Sequence, residues 1–199
     1  QSEIERITKC NDPWEHYLVD NFLPQEILKS LKNIKIESKN SLCDGTRTPI
    51  SGRYFFTPDK NDKLTRDIVN FFREKTGEFE KNFGYSLQNS YLRIELAQDD
   101  NNFWQVPHID TFEKRITIII YISSEDDDLG TDLFKDQKSS YKKRIEWQTN
   151  RCFVFKTDET KWHGFSKRNF NGNRRVLLVN YVDKDNWTSK EQVWDLWES

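Results

Sequence analysis

The stretch that decides the fold is Q-V-P-H-I-D-T-F-E-K-R-I-T-I-I-I-Y-I, residues 105–122. It places His108 and Asp110 two positions apart, directly before the most apolar run of the chain. In an extended backbone, side chains two residues apart point to the same face. The imidazole and the carboxylate are therefore predicted to converge on one point. A second imidazole is available downstream at His163, in W-H-G.

The length and composition of the chain limit the classes of protein it can belong to. Its 199 residues fit one domain, and an aromatic fraction of 14% supports a packed core despite a hydrophobic fraction of only 35%. The 33 acidic and 31 basic residues give a formal charge of -2. This balance carries no strong signal for nucleic acid as a partner, or for an anionic membrane.

Cysteine usage and hydropathy suggest a location but no assembly state. The cysteines at positions 10, 43 and 152 are odd in number and form no C-x-x-C pattern, which favours reduced thiols and a cytoplasmic protein. No stretch approaches 18 apolar residues, so no transmembrane helix is predicted. The sequence does not specify the oligomeric state.

Periodicity divides the chain into helices first and strands later. Apolar residues at helical spacing predict helices over 24–35 and 59–83, the second ended by Gly84. Thr188 and Glu191 form a capping-box pattern that predicts a short C-terminal helix. Alternating or continuous apolar runs predict strands at 53–56, 90–97, 116–122, 151–156 and 175–182.

This order predicts an α+β fold in a single domain spanning 1–199. Residues 1–85 form its mainly helical N-terminal part, 86–183 a β-sandwich or barrel core, and 184–199 the C-terminal helix.

The three candidate ligands suggest a specific kind of metal centre. Two imidazoles and one carboxylate with open coordination positions are typical of non-haem Fe(II) oxygenases. An ordinary loop histidine is the alternative for His108, and a partly buried histidine packed near Trp162 for His163. The arginines at 174 and 175 open another apolar strand. A buried guanidinium needs a partner, and a dicarboxylate ligand would supply one.

Taken together, these residues resemble the 2-oxoglutarate and Fe(II)-dependent oxygenases, in the style of their prolyl-hydroxylase-like branch. Six segments follow the family's order: P-H-I-D, R-I-T-I-I-I-Y-I, L-G-T-D-L-F, R-C-F-V-F, W-H-G-F and R-R-V-L-L-V-N-Y-V. The resemblance implies a double-stranded β-helix, also called a jelly-roll or cupin-like core. One segment departs from the family, because Thr131 stands where a Gly-Gly turn is more usual, and a local change of the loop is expected.

The resemblance also implies roles for individual residues. His108, Asp110 and His163 would be the iron ligands and the catalytic residues. Either Arg174, which is preferred, or Arg175 would bind the distal carboxylate of 2-oxoglutarate. Strand alternation places Thr117 and Tyr121 on one face of their strand and Asn180 on the face of Arg174. The prolyl-hydroxylase-like enzymes often have a tyrosine at the position of Tyr121 that shares the same carboxylate, so the resemblance implies a cosubstrate role for it, although Tyr121 could equally be a core tyrosine. Thr117 and Asn180 are further candidates for the cosubstrate pocket.

By the same resemblance, the expected activity is hydroxylation coupled to oxidative decarboxylation of 2-oxoglutarate, with release of succinate and CO2. The implied cofactors and cosubstrates are Fe(2+), 2-oxoglutarate and O2, with ascorbate as a candidate reductant. A prolyl residue or peptide is the substrate suggested by the style of the resemblance, and small metabolites stay open.

Two other functions remain open. One is a metal-binding cupin-type enzyme that does not use 2-oxoglutarate. The other is a non-catalytic β-sandwich interaction module.

Overall fold

Two antiparallel sheets face each other and two helices cover the outer face of the larger one. The computed structural model describes residues 6–36, 50–56, 58–138, 140–189 and 191–197. Its elements are β1 (Arg6–Cys10), β2 (His16–Asp20), α1 (Gln25–Asn33), β3 (Arg53–Phe56), α2 (Lys63–Phe83), β4 (Ser90–Asp99), β5 (Gln105–His108), β6 (Lys114–Ser124), β7 (Asp132–Phe134), β8 (Lys142–Arg144), β9 (Cys152–Lys156), β10 (Trp162–Phe165), β11 (Arg174–Asp183) and β12 (Trp194–Asp195).

The large sheet has the strand order β1-β2-β9-β6-β11-β4-β12, with β3 also paired to β4. The small sheet has the order β5-β10-β7-β8. This β-rich, jelly-roll-like arrangement agrees with the fold predicted from the resemblance. Because only two helices occur among the described residues, the α+β label does not describe the architecture well.

Strand β6 is buried on both faces, as its continuous apolar sequence predicts. Ile116, Ile118 and Ile120 pack with the helices in the main core. Ile119 and Tyr121 point the opposite way and pack against the small sheet. Strand β11 alternates in the same manner, so the space between the two sheets is lined by one side-chain set from each of these central strands.

The two helices close the outer face of the large sheet. Helix α2 buries Ile68, Phe72 and Phe79 against it, and these residues are at most 5% exposed. It ends at Gly84, whose φ of 72° is left-handed and whose N–H donates to Glu80 O at 2.8 Å. This cap was predicted, and glycine suits it because a Cβ is strained at positive φ. No helix in the described part of the chain has the length and apolar character needed to cross a membrane.

Two expectations about the ends of the chain are not confirmed. Among the described residues up to 85, strands β1, β2 and β3 accompany the two helices and extend the large sheet. No helix forms in 191–197, where β12 pairs with β4 instead and sets Trp194 opposite Leu92. Trp194 is only 5% exposed there, so burial against the sheet overrides the local capping pattern.

Candidate metal centre

Pairing of β5 with β10 brings the two predicted histidine ligands together. The strands are antiparallel, and His163 lies directly opposite His108. Their ring centroids are 4.4 Å apart. Asp110 follows two residues after His108, where the chain leaves β5.

A glycine permits this close pairing. A Cβ added to Gly164 would lie 2.6 Å from the backbone oxygen of Gln105 and 2.9 Å from that of Val106. Real side chains do not approach so closely, so the β5–β10 contact at this point requires glycine. In W-H-G-F, the residue after the histidine thus allows the two histidine-bearing strands to meet.

The three predicted ligands converge on one point. Nε2 of His108 is 3.8 Å from Asp110 Oδ1, and Nε2 of His163 is 3.5 Å from the same oxygen. All three ligand atoms lie within 4.8 Å of one another. Ligands of one divalent ion stand about 2.0–2.2 Å from it, so these atoms need move only slightly to share an ion. The triad could therefore hold a metal.

Backbone carbonyls fix the orientation of both imidazoles. Nδ1 of His108 bonds Val106 O at 3.0 Å, and Nδ1 of His163 bonds Lys161 O at 2.9 Å. A carbonyl oxygen only accepts, so each Nδ1 must carry a proton and donate it. When a ring is neutral, this arrangement leaves its Nε2 lone pair facing the centre of the triad. Metal-binding histidines are commonly held this way.

The charges of the triad suit a cation. Burial, together with the neighbouring His163, lowers the pKa of His108 to about 4. Although burial opposes ionisation of Asp110, His163 and Thr117 hold the pKa of its carboxyl far below the ordinary value. Burial also opposes protonation of His163, but the Asp110 carboxylate raises its pKa. At neutral pH the site therefore offers an ionised carboxylate beside a neutral imidazole.

The triad lies in a cavity of about 240 Å³ between the two sheets. The cavity also reaches several residues of β3, β4, β6 and β11. Those that matter for the chemistry below are Arg53, Arg93, Thr117, Arg174 and Asn180, together with Thr131, which directly precedes β7.

Arg174 lines the cavity and shares a buried carboxylate with a second arginine. Its Nη1 donates to Asp99 Oδ2 at 2.7 Å and its Nε to Leu129 O at 2.6 Å. Arg53 donates to both oxygens of Asp99, at 2.6 and 2.9 Å. Asp99 is fully buried. Because two guanidinium groups share its single carboxylate, the cluster of Arg53, Asp99 and Arg174 has one positive charge in excess.

Sequence reasoning missed Arg53 and Asp99. Asp99 stands directly opposite Arg174 across β11 and opposite Arg53 across β3. Such cross-strand pairs depend on register between distant segments, and neither residue sits in a local motif.

The structure places Arg175 on the other face of the large sheet. Its Nη1 donates to Leu31 O at 2.8 Å and to Lys32 O at 3.1 Å. These are carbonyls of the last turn of α1, which have no partner within the helix. Arg175 thus caps the C-terminal end of α1. The fold does not bring its side chain to the triad.

Tyr121 approaches the cavity through Thr131. Its hydroxyl donates to Thr131 Oγ1 at 3.0 Å and accepts from Thr131 N at 2.9 Å. Its ring stacks on Trp147 with centroids 4.6 Å apart. Thr131 lines the cavity, whereas Tyr121 lies behind it and is not among the described residues that line the cavity. The threonine that departs from the family's turn therefore occupies the place between the tyrosine and the cavity.

Thr117 and Asn180 face the triad, on the side expected from strand alternation. Thr117 donates its hydroxyl to Asp110 Oδ2, and Asn180 Nδ2 donates to Thr117 Oγ1 at 3.0 Å. Both residues line the cavity, but their hydrogen bonds lead to the carboxylate of the triad.

Neither a search of protein-family models nor a search of curated proteins finds a match to this chain. Solved structures do match. A prolyl-4-hydroxylase from Pseudomonas putida, 12% identical, has a TM-score of 0.61 over 84% of this chain and 92% of that one. A Trichoplax adhaerens prolyl hydroxylase in complex with a peptide fragment of the hypoxia inducible factor oxygen degradation domain is 15% identical. Its TM-score is 0.57 over 85% of this chain and 84% of that one.

The third similar structure is a viral collagen prolyl hydroxylase from Paramecium Bursaria Chlorella virus-1, solved as its 2OG complex. It is 13% identical, with a TM-score of 0.55 over 87% of this chain and 98% of that one. At these identities the likeness establishes a shared fold. The predicted resemblance to the fold of prolyl-hydroxylase-like oxygenases is thereby confirmed.

Proposed function

We propose that the chain is a 2-oxoglutarate- and O2-dependent Fe(II) dioxygenase that hydroxylates its substrate and releases succinate and CO2. The observation that carries this proposal is the convergence of His108, Asp110 and His163 in one cavity with Arg174. A cosubstrate that chelates the metal and carries a second carboxylate would give the buried cationic cluster beside the triad a partner.

The residues of the triad fit a divalent iron. Two imidazoles and one carboxylate would supply three ligands and leave other coordination positions open. When bound there, iron would supply the redox chemistry that joins O2 activation to decarboxylation of the 2-oxo acid. Ascorbate is a candidate for keeping the metal reduced.

The cluster of Arg53, Asp99 and Arg174 would receive the distal carboxylate of 2-oxoglutarate. Within these three residues one positive charge is left over, and an incoming carboxylate would balance it. Guanidinium groups suit this task because their donors match the geometry of a carboxylate. Arg174 is preferred over Arg175, which holds helix α1 instead. Tyr121 is proposed to fix the Thr131 hydroxyl at the same subsite.

Apolar side chains around the triad would exclude water and receive the substrate. Phe165 and Phe103 line the cavity and are at most 2% exposed. Excluding water strengthens every charge interaction inside. Trp162 lies just before His163 and is partly buried.

The surface beside the cavity supports a prolyl residue in a peptide or protein as substrate. Six large apolar side chains are exposed among the described residues, and four of them fall in 104–112. These four are Trp104, Val106, Ile109 and Phe112. The same segment carries two metal ligands. Exposed apolar clusters of this kind commonly mark interaction sites, and one of the similar structures is a peptide complex.

Anaerobic addition of Fe(II) and 2-oxoglutarate tests the proposal. The wild-type protein should develop the charge-transfer absorption of the metal chelate, and His108→Ala should not. His16→Gln is a matched control, because the Nδ1 of His16 also bonds a carbonyl, Trp14 O at 2.9 Å, away from the triad. Screening for succinate release with candidate peptides would follow.

The outcomes separate the proposal from its alternatives. Metal binding without chelate absorption would favour a cupin-type enzyme that does not use 2-oxoglutarate. Binding of neither metal nor 2-oxoglutarate would favour an interaction module. An intact signal in His108→Ala would overturn the assignment of the triad.

A further inference from the structure

The two oxygens of the Asp110 carboxylate face different partners. Oδ1 lies nearest to both histidines, 3.8 and 3.5 Å from their Nε2 atoms. Oδ2 accepts the hydroxyl of Thr117. The carboxylate is thus turned so that one oxygen faces the metal position and the other is held away from it.

The direction of the Thr117 hydrogen bond is set by the residues behind it. Nη1 of Arg93 lies 3.1 Å from Asn180 Oδ1. A guanidinium only donates, so this amide atom must be the oxygen and Nδ2 must face Thr117, at 3.0 Å. The Thr117 oxygen accepts from Asn180, which leaves its own proton for Asp110. Every hydrogen bond from Arg93 to Asp110 therefore runs in the same direction.

The far end of this chain of hydrogen bonds is firmly anchored. Arg93 is 3% exposed and donates to Glu95 at 3.0 Å. It also makes two hydrogen bonds of 3.0 Å to the carboxylate oxygens of Glu191. Planar, two-pronged pairs of this type hold both partners in one geometry. Arg93 is therefore fixed from its own strand and from the segment around β12.

We propose that Thr117, Asn180 and Arg93 are positioning residues that restrict Asp110 to binding the metal through Oδ1 alone. The proposal rests on the metal centre proposed above. A carboxylate that binds through both oxygens would occupy an additional coordination position. Holding Oδ2 on Thr117 keeps that position for cosubstrate or O2. Outer partners of metal ligands typically alter metal affinity 10–100-fold when removed.

Thr117→Val tests the proposal directly, because valine keeps the shape of threonine and removes the hydroxyl that donates to Asp110 and accepts from Asn180. Anaerobic calorimetric titration with Co²⁺ alone should show affinity reduced about 10–100-fold. Thr117→Ser should restore most of the affinity. Thr76→Val is the matched control, since it removes a buried hydroxyl bonded to Phe72 O and Tyr181 on the helix side of the sheet. Its Co²⁺ affinity should equal that of wild type.

Asn180→Ala gives an independent measurement if Thr117→Val does not fold. It should also weaken Co²⁺ binding, because the Thr117 hydroxyl then loses the donor that sets its direction. The double variant should bind no more weakly than Thr117→Val, since both act through one hydrogen-bond path. Circular dichroism verifies that each variant is folded.

The results distinguish this proposal from the one on which it rests. Wild-type affinity in folded Thr117→Val, or an equal loss in Thr76→Val, would overturn the positioning role and leave the metal centre intact. Failure of the wild-type protein to bind Co²⁺ would overturn the metal centre itself.

Discussion

Arg174 and Arg175 are neighbours in strand β11, but their side chains lie on opposite faces of the large sheet. Arg174 shares the carboxylate of Asp99 at the cavity, while Arg175 donates to Leu31 O and Lys32 O at the end of α1. The pair therefore offers a matched comparison, in which the same substitution removes a proposed cosubstrate contact at Arg174 and a helix cap at Arg175.

Arg174→Gln should weaken 2-oxoglutarate binding by about 10–100-fold, the equivalent of one charge-assisted hydrogen-bonded contact. Arg175→Gln should leave that affinity unchanged and lower the free energy of unfolding by about 1–3 kcal/mol. Calorimetric titration of 2-oxoglutarate into Mn²⁺-loaded protein measures the first quantity, and urea unfolding the second. Equal losses of affinity in both variants would contradict the assignment.

Arg53→Gln should also weaken 2-oxoglutarate binding, by about fivefold or more, because Asp99 would then neutralise Arg174 and no positive charge would be left over. Mn²⁺ affinity should stay as in wild type. Arg144→Gln is the control, since Arg144 pairs with Asp132 and Asp128 rather than lining the cavity. If Arg53→Gln binds 2-oxoglutarate like the control, the two-arginine subsite is wrong.

Gly164→Ala should separate β5 from β10, because its Cβ would collide with the Gln105 and Val106 carbonyl oxygens. We expect a loss of about 1–3 kcal/mol in stability and much weaker metal binding. Gly77→Ala in α2 is the control, where an added Cβ meets nothing within 4 Å. That variant should be more stable by about 0.5–1 kcal/mol. Thermal unfolding with and without Co²⁺ measures both effects.

Asp132 should make stability depend on pH in the acid range. Burial opposes its ionisation, but hydrogen bonds from Arg144 and Ser166 and the charge of Arg168 hold the pKa of its carboxyl below the ordinary 3.8. A depressed folded-state pKa stabilises the protein above about pH 4, and this contribution is lost as the pH falls through the folded value.

The matched variant for this pH effect is Asp132→Asn. At pH 7 it should be less stable than wild type by about 3–5 kcal/mol, because two arginines lose a buried partner. The difference should shrink when urea unfolding is repeated near pH 3. A difference that does not change with pH would show that Asp132 acts through packing alone.

The exposed apolar side chains near the triad should contribute to peptide binding. Phe112 is 83% exposed in the turn after Asp110. Phe112→Ser should raise the KM of a peptide substrate about fivefold or more, with metal and 2-oxoglutarate affinity unchanged. Ile7→Ser is the control, since Ile7 is 55% exposed on β1, an edge strand of the large sheet. Equal KM values in Phe112→Ser and Ile7→Ser would show that the Phe112 side chain does not contribute to peptide binding.

Local sequence patterns predicted much of this molecule because they report burial directly. The continuous apolar runs of β6 and β11 predicted strands, and both lie in the interior of the large sheet. The spacing of His108 and Asp110 predicted their convergence, which the backbone brings about even though β5 ends at His108.

What the sequence could not predict depends on contacts between distant segments. Asp99 meets both arginines only because β3 and β11 pair with the two edges of β4. Glu191 fits a capping pattern, yet its carboxylate binds Arg93. Thr131 was expected to change the loop before β7, but the sequence of that loop does not predict its hydrogen bonds with the Tyr121 hydroxyl. In each case register across the sheet decides the partner.

The position of β5 at the edge of the small sheet has a consequence for dynamics. The strand pairs with β10 on one side, and it carries His108 at its end while His163 sits on the neighbouring inner strand. A metal ion bound by both histidines would fasten the edge to the interior. Local opening of β5 would then require release of the ion, so amide hydrogen exchange in 105–108 should slow with metal occupancy while the exchange of β11 stays the same.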